Sequence, residues 1–254
     1  MIICKSASEI EIMKEAGQIV ARVLLKIEQL LEPGITTGEI DRLAEKAIRS
    51  YGADPAFKGY MGRLSSRAYP NSVCISINEE VVHGIPRKKV INEGDLVSID
   101  VGVKKSGFYG DAARSYKIGK VSAVAERLWK ATSEALDMAI DRCTIGNRLS
   151  DISNCIEKRA LSSGFSVVKD FVGHGIGRNM HEDPQILNYG PPGQGPSLKK
   201  GMVLAIEPML NEGGSNVEIL EDMWTVATID RKLSCHFEDS VAITRSGPLV
   251  LTRI

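Results

Sequence analysis

An α+β fold built from two related halves is predicted by three observations. Helix signals precede strand signals instead of alternating with them, which argues against βαβ units and a parallel sheet. The same order then recurs after a shift of 112 positions, pairing Gly34 with Gly146, Ile40 with Ile152, Glu45 with Glu157, Lys46 with Lys158, Ser50 with Ser162 and Gly52 with Gly164. Finally, Gly94-Asp95-Leu96-Val97-Ser98-Ile99-Asp100 and Gly201-Met202-Val203-Leu204-Ala205-Ile206-Glu207 both run from a glycine through an apolar, β-rich stretch to an acid.

The first helix is signalled by a capping-box spacing, Ser8 followed by Glu11, and by Ile12, Ala16, Ile19, Val20, Val23, Leu24, Ile27 and Leu31 at helical intervals. After the turn Pro33-Gly34, Thr36 and Glu39 form a second capping box, and Gly52 is the expected stop. The second half repeats the pair, with helices over 122–141 and 149–163, a turn at Gly146 and a stop at Gly164. Strands are expected over 73–77, 96–103 and 108–118 in the first half, and over 166–169, 202–210, 224–229 and 236–244 in the second. Residues 191–196 read as a short exposed loop, and residues 61–68, with a glycine, two serines and two arginines, as another.

Composition excludes several classes. Thirty-two basic residues against thirty-two acidic ones leave no excess of positive charge for stable nucleic-acid or anionic-membrane binding. No signal-like or membrane-spanning run is present, so the expected setting is the cytoplasm. Five scattered cysteines without a C-x-x-C pair are expected to be reduced thiols. The glycines of Gly173-His174-Gly175-Ile176-Gly177 do not make a dinucleotide fingerprint, because Arg178 stands where glycine is needed and Pro184 opposes the helix. His181-Glu182-Asp183-Pro184 lacks the second histidine of a zincin helix, and no G-x-S-x-G elbow occurs.

What remains is a set of acids and one histidine. Asp100 and Glu207 end apolar runs, where a bare carboxylate is costly unless a cation compensates it. Asp111 follows Asp100 by eleven residues across a Lys104-Lys105-Ser106-Gly107 turn, so a hairpin brings the two onto neighbouring strands, although the odd offset does not fix their faces. With His174 and Glu238 they form a mostly hard-oxygen set suited to Mn, Fe, Co or Zn. Four carboxylates carry a charge that two divalent ions balance. Taken singly, Asp111 also reads as a solvated turn residue and Glu238 as a polar strand edge.

With these residues in view, the chain resembles type I methionine aminopeptidases. The resemblance runs through nearly the whole chain and rests on the segments 72–79, Val82-His83-Gly84-Ile85-Pro86, Ile99-Asp100-Val101, Gly110-Asp111, 173–178, His181-Glu182-Asp183-Pro184, Ile206-Glu207-Pro208-Met209 and Asp222-Met223-Trp224-Thr225. It implies a pita-bread fold, with pseudo-twofold helix-helix-strand halves, about 1–120 and 121–254, around a central antiparallel sheet in one catalytic domain. It implies Asp100, Asp111, His174, Glu207 and Glu238 as ligands of two divalent ions. Glu207 would shuttle a proton, His181 stabilise the oxyanion and His83 contact the scissile amide. The methionine side chain would enter a pocket lined by Tyr69, Cys74, Met180 and Trp224, residues that read equally as ordinary core. Met180 stands where relatives often carry an aromatic, and residues 61–68, which lead into Tyr69 beside this pocket, are expected to be either a mobile flap at the substrate entrance or a plain surface insertion.

The activity so implied is removal of the initiator methionine from nascent polypeptides with a small second residue, by a monomer that touches the ribosome transiently. Aminopeptidase P and prolidase share the five ligands but usually carry an extra amino-terminal domain, for which the chain has no room. A type II enzyme would carry an insert between His174 and Glu207, where only 32 residues lie. A non-catalytic binding descendant would be expected to lose ligands, and none is lost.

Overall fold

The computed structural model describes residues 1–62 and 67–254, so the expected entrance loop is covered only at its two ends, and residues 63–66 lie outside the described residues. The chain opens with helix α1 (Ala7–Glu28), whose capping box is Ser6 with Glu9 rather than Ser8 with Glu11. Both pairs have the right spacing. The choice is made upstream, where Lys5 N–H donates to Gly201 O at 2.7 Å and holds the chain extended up to Ser6. Helix α2 (Thr37–Ser50) has the expected Thr36–Glu39 box. Its counterpart to α1 in the second half is α3 (Ala123–Asp141), capped by Ser122, and α4 (Leu149–Ser162) matches α2. Gly34 and Gly146 both take φ +103°, and Gly52 and Gly164 take +66° and +79°, so the equivalences read from sequence are equivalences of backbone conformation. The 191–196 loop is exposed and covers the start of α4, where Pro196 O and Gln194 O accept from Leu149 and Ser150 N–H.

The strands are β1 (Asp54–Pro55), β2 (Cys74–Ile77), β3 (Glu80–Val82), β4 (Leu96–Lys105), β5 (Phe108–Lys117), β6 (Ser166–Val167), β7 (Gly173–Gly175), β8 (Glu182–Ile186), β9 (Val203–Ile206), β10 (Met209–Asn211), β11 (Val217–Ile219), β12 (Val226–Thr228), β13 (Ser234–His236), β14 (Asp239–Thr244) and β15 (Gly247–Val250). Every pairing is antiparallel. One sheet runs β1-β4-β2 with β5 on the other edge of β4, and another runs β15-β14-β9-β7-β8. Smaller sheets are β13-β10-β6 and β11-β12-β3.

Two strands expected to be continuous are broken. The stretch 202–210 is interrupted at Glu207-Pro208, where the chain leaves the five-stranded sheet for the β13-β10-β6 sheet, and 236–244 at Phe237-Glu238, where it passes back from that sheet to the five-stranded one. Pro208 has no N–H to continue a ladder.

The halves meet along β5. Ala113 and Glu238 exchange backbone hydrogen bonds of 2.9 and 3.3 Å. On one side of this pair Ser240 Oγ accepts from Asp111 N–H and donates to Asp111 O; on the other, Ser115 Oγ accepts from His236 N–H and donates to His236 O. The seam is thus an antiparallel ladder whose flanking rungs are serine hydroxyls.

Each half carries its own core, one from α1 and α2 over β2, β4 and β5, the other from α3 and α4 over β9, β10 and β14. Each fully buried aliphatic side chain there contributes about 1.5–3 kcal/mol. Helix α1 crosses β5 at Gly17 and Gly110, where a Cβ on Gly110 would lie 2.8 Å from Gly17 N. Among the described residues no helix is long and apolar enough to cross a membrane.

Candidate active site

Register settles the question of faces left open by the sequence. In the β4–β5 hairpin Asp111 pairs with Gly102, two residues along the strand from Asp100, so both carboxylates point to one side. In the other half Asp239 pairs with Ile206; continuing that register by one residue sets Glu238 opposite Glu207. His174 pairs with Ala205, two residues before Glu207, and faces the same way.

Asp111, His174 and Glu238 offer ligand atoms that all lie within 4.8 Å of one another, and all three are buried. Asp100 and Glu207 stand outside that trio but next to it. Asp100 sits on β4 two residues from the partner of Asp111, and Glu207 Oε1 lies 3.7 Å from His174 Nε2. Asp100 Oδ1, Asp111 Oδ1 and Glu238 Oε1 are buried without any hydrogen-bond partner. Buried orphan oxygens are rare in proteins, and three on carboxylates that line one cleft are what cations would satisfy. His174 Nδ1 lies 2.9 Å from Gly175 O, which assigns the ring proton there and turns Nε2 towards the carboxylates. This donor set fits divalent metal ions.

Electrostatics says the same. Burial, and then the neighbouring acids, pushes Asp111, Glu207 and Glu238 well above the carboxylate range, and burial raises Asp100 too. Burial, then His181, lowers His174 to about 3; burial lowers His83 to about 4. These groups are costly to ionise until positive charge arrives.

The glycines around His174 admit neighbours rather than substrate. A Cβ on Gly173 would meet Ala205 O at 2.5 Å, one on Gly175 Asp183 O at 2.1 Å, and one on Gly177 the Lys5 stem at 2.4 Å. Lys5 in turn holds Glu182 at 2.6 Å in a buried ion pair beside His181.

The cluster opens into a cleft of about 940 Å³ lined also by His83, His181, Tyr69, Cys74, Met180 and Trp224. The four expected pocket residues pack together with Phe57. Tyr69 stands edge-on to Trp224 at 5.1 Å and donates to Gly84 O at 2.9 Å. Cys74 lies opposite Asp100, and burial then Asp100 raise its thiol, which stays neutral. Gly102 leaves the space that Phe57 and the Met180 methyl fill, at 2.8 and 3.0 Å from where a Cβ would be. His83 takes φ +59° and stacks edge-on against Phe171 at 5.6 Å, a left-handed backbone held by the close approach of Gly84 to Ile75. His181 lies 4.3 Å from the His174 ring, and its Nδ1 is 2.6 Å from the Tyr60 hydroxyl.

A profile of metallopeptidase family M24 matches residues 11–245. The chain belongs to metallopeptidase family M24. It is 50% identical to a methionine aminopeptidase of Clostridium perfringens over 100% of both chains, and 48% identical to methionine aminopeptidase 1 of Bacillus subtilis, again over 100% of both. A crystal structure of methionine aminopeptidase from Thermotoga maritima superposes with a TM-score of 0.96 at 46% identity, covering 100% of both chains. Prolidase from Pyrococcus furiosus shares the fold, with a TM-score of 0.80 at 24% identity over 99% of this chain and 66% of that one. The pita-bread architecture expected from sequence is therefore the architecture of this M24 chain, and divalent-metal dependence accompanies the family.

Three residues of this M24 site escaped the sequence reading. Phe57 and Tyr60 lie in an irregular segment without periodicity to mark them. His236 was visible, since the chain has only four histidines and all four converge here; its position two residues before Glu238 was the available signal.

Proposed function

We propose that the chain is a metal-dependent aminopeptidase that removes the N-terminal methionine from nascent polypeptides whose second residue is small. The observation that carries this reading is the meeting of two unlike environments in one cleft. Buried orphan carboxylate oxygens stand on one side, and an apolar pocket of aromatic rings and sulfur on the other. Asp100, Asp111, His174, Glu207 and Glu238 would hold two divalent ions, Co, Mn, Fe or Zn. When bound, such ions make a nucleophile of water at neutral pH and polarise the scissile carbonyl.

The chain's own groups do the rest. Glu207, beside His174 at the edge of the carboxylate cluster, accepts a proton from the nucleophile and returns it to the leaving nitrogen. His181, oriented by the Tyr60 hydroxyl, donates to the developing oxyanion. His83, neutral because it is buried, hydrogen-bonds the scissile amide. The methionine side chain lies among Tyr69, Cys74, Met180 and Trp224 over Phe57, where its sulfur gains contacts with the rings. The enzyme would work as one catalytic unit spanning both halves, as a cytoplasmic monomer, with at most passing contact with the ribosome.

Metal-stripped protein resupplied with Mn, Fe, Co or Zn and given Met-Ala-Ser, Met-Lys-Ser and Ala-Pro-Ser tests the reading by mass spectrometry. Loss of methionine chiefly from Met-Ala-Ser is expected. Cleavage of Ala-Pro-Ser instead would indicate a proline peptidase, and binding without cleavage a binding module.

A further inference from the structure

His236 has no role in the chemistry above, yet it is built into the same site. The ring is buried, and its Nε2 has no hydrogen-bond partner. That nitrogen lies 3.7 Å from Glu207 Oε2, while Glu207 Oε1 lies 3.7 Å from His174 Nε2. One carboxylate is thus flanked by two imidazoles, one on each oxygen. The backbone of His236 is clamped by Ser115 Oγ on both N–H and O, and the residue pairs with Met209 just beyond Glu207. It is therefore fixed in place against β10, which begins two residues after Glu207. It does not line the cleft, so it cannot reach substrate and acts only through its neighbour.

We propose that His236 is the positioning residue of Glu207: its Nε2–H donates to Oε2 and holds the carboxylate with Oε1 turned towards His174 and the metal side. The separation seen is longer than a hydrogen bond, as is common for catalytic contacts that tighten when a site is loaded. A buried ring nitrogen without a partner is otherwise unfavourable, and Glu207 is the acceptor beside it. The inference rests on the proposed metal role of Glu207. Wild-type protein carried through the same metal titration reads that role separately.

The test compares His236→Gln, which keeps a side-chain donor, with His236→Leu, which keeps bulk alone. Mn²⁺ affinity of the metal-free proteins is measured by competition with a chelating dye, alongside kcat and KM for Met-Ala-Ser. The leucine variant should lose about 10- to 100-fold in Mn²⁺ affinity and a similar factor in kcat, with KM nearly unchanged, and the glutamine variant should recover most of both. Wild-type affinity and kcat in the leucine variant would overturn the proposal. So would a glutamine variant no better than leucine, because the loss would then follow packing rather than the donor. Should the leucine variant fail to fold, ¹⁵N-edited NMR of the Zn²⁺-loaded wild type decides: a slowly exchanging His236 Nε2–H supports the bond, and an unprotonated Nε2 refutes it.

Discussion

Glu207 stands between His174 and His236, at the interruption where β9 gives way to β10, and among the described residues no lysine or arginine pairs with its carboxylate. A residue so placed is poor for stability and useful for chemistry. Glu207→Gln keeps the shape and removes the charge and the proton acceptor, so kcat for Met-Ala-Ser should fall by at least about 100-fold while the melting temperature of the metal-free protein holds or rises. A kcat within a few-fold of wild type would remove Glu207 from the mechanism. At this scale the sequence was informative where chemistry forces a residue type. Two carboxylates at the ends of apolar runs, Asp100 and Glu207, are costly enough to be noticed, and they drew attention to Asp111, His174 and Glu238. It was silent on Tyr60 and Phe57, because nothing local distinguishes an aromatic that orients a histidine or floors a pocket from one that fills a core.

At the scale of elements, helix position matters as much as helix content. Helix α1 lies against β5 through two glycines, and a Cβ on Gly17 would come within 2.4 Å of Leu251 O. Gly17→Ala improves helix propensity, yet it must push α1 away from the C-terminal backbone, and overpacking of this kind costs about 1–3 kcal/mol. Differential scanning calorimetry should show a lower melting temperature; an increase would mean that the contact gives way freely. The four helices were legible because caps, periodicity and stop glycines are local signals. The first cap moved by two residues only because two equivalent S-x-x-E spacings overlap and a distant carbonyl, Gly201 O, chose between them. The breaks at Glu207-Pro208 and Phe237-Glu238 were not legible as breaks. They exist because two sheets meet there, and strands of two or three residues such as β1, β3 and β7 are likewise defined by their partners rather than their own sequence.

For the whole molecule, the site sets a pH dependence whose two components have opposite signs. Burial lowers His83, His174 and His236 to about 4, 3 and 3 from 6.5, so the unfolded chain binds more protons below pH 6.5. Their contribution to stability is complete above that value and is lost as pH falls towards 4 and below. The four carboxylates are raised instead, so the folded state keeps protons that the unfolded chain has released. Their contribution is complete below about pH 4 and is lost as pH rises. Above pH 6.5 only the carboxylates still act, and chelator-treated protein should melt at progressively lower temperature from about pH 6.5 to 8. A divalent cation at about 100 times its dissociation constant should add roughly 2.7 kcal/mol and flatten that slope. An unchanged slope with metal would mean that the ion binds elsewhere.

The five side chains come from both halves, Asp100 and Asp111 from one and His174, Glu207 and Glu238 from the other, so the duplication, the seam at Ala113 and Glu238, and the proposed chemistry all depend on one centre. Anomalous scattering from crystals of the protein grown with Mn²⁺ tests that centre most directly. The account predicts two anomalous peaks enclosed by Asp100, Asp111, His174, Glu207 and Glu238. Anomalous density confined to other parts of the molecule, with none between these five side chains, would contradict it.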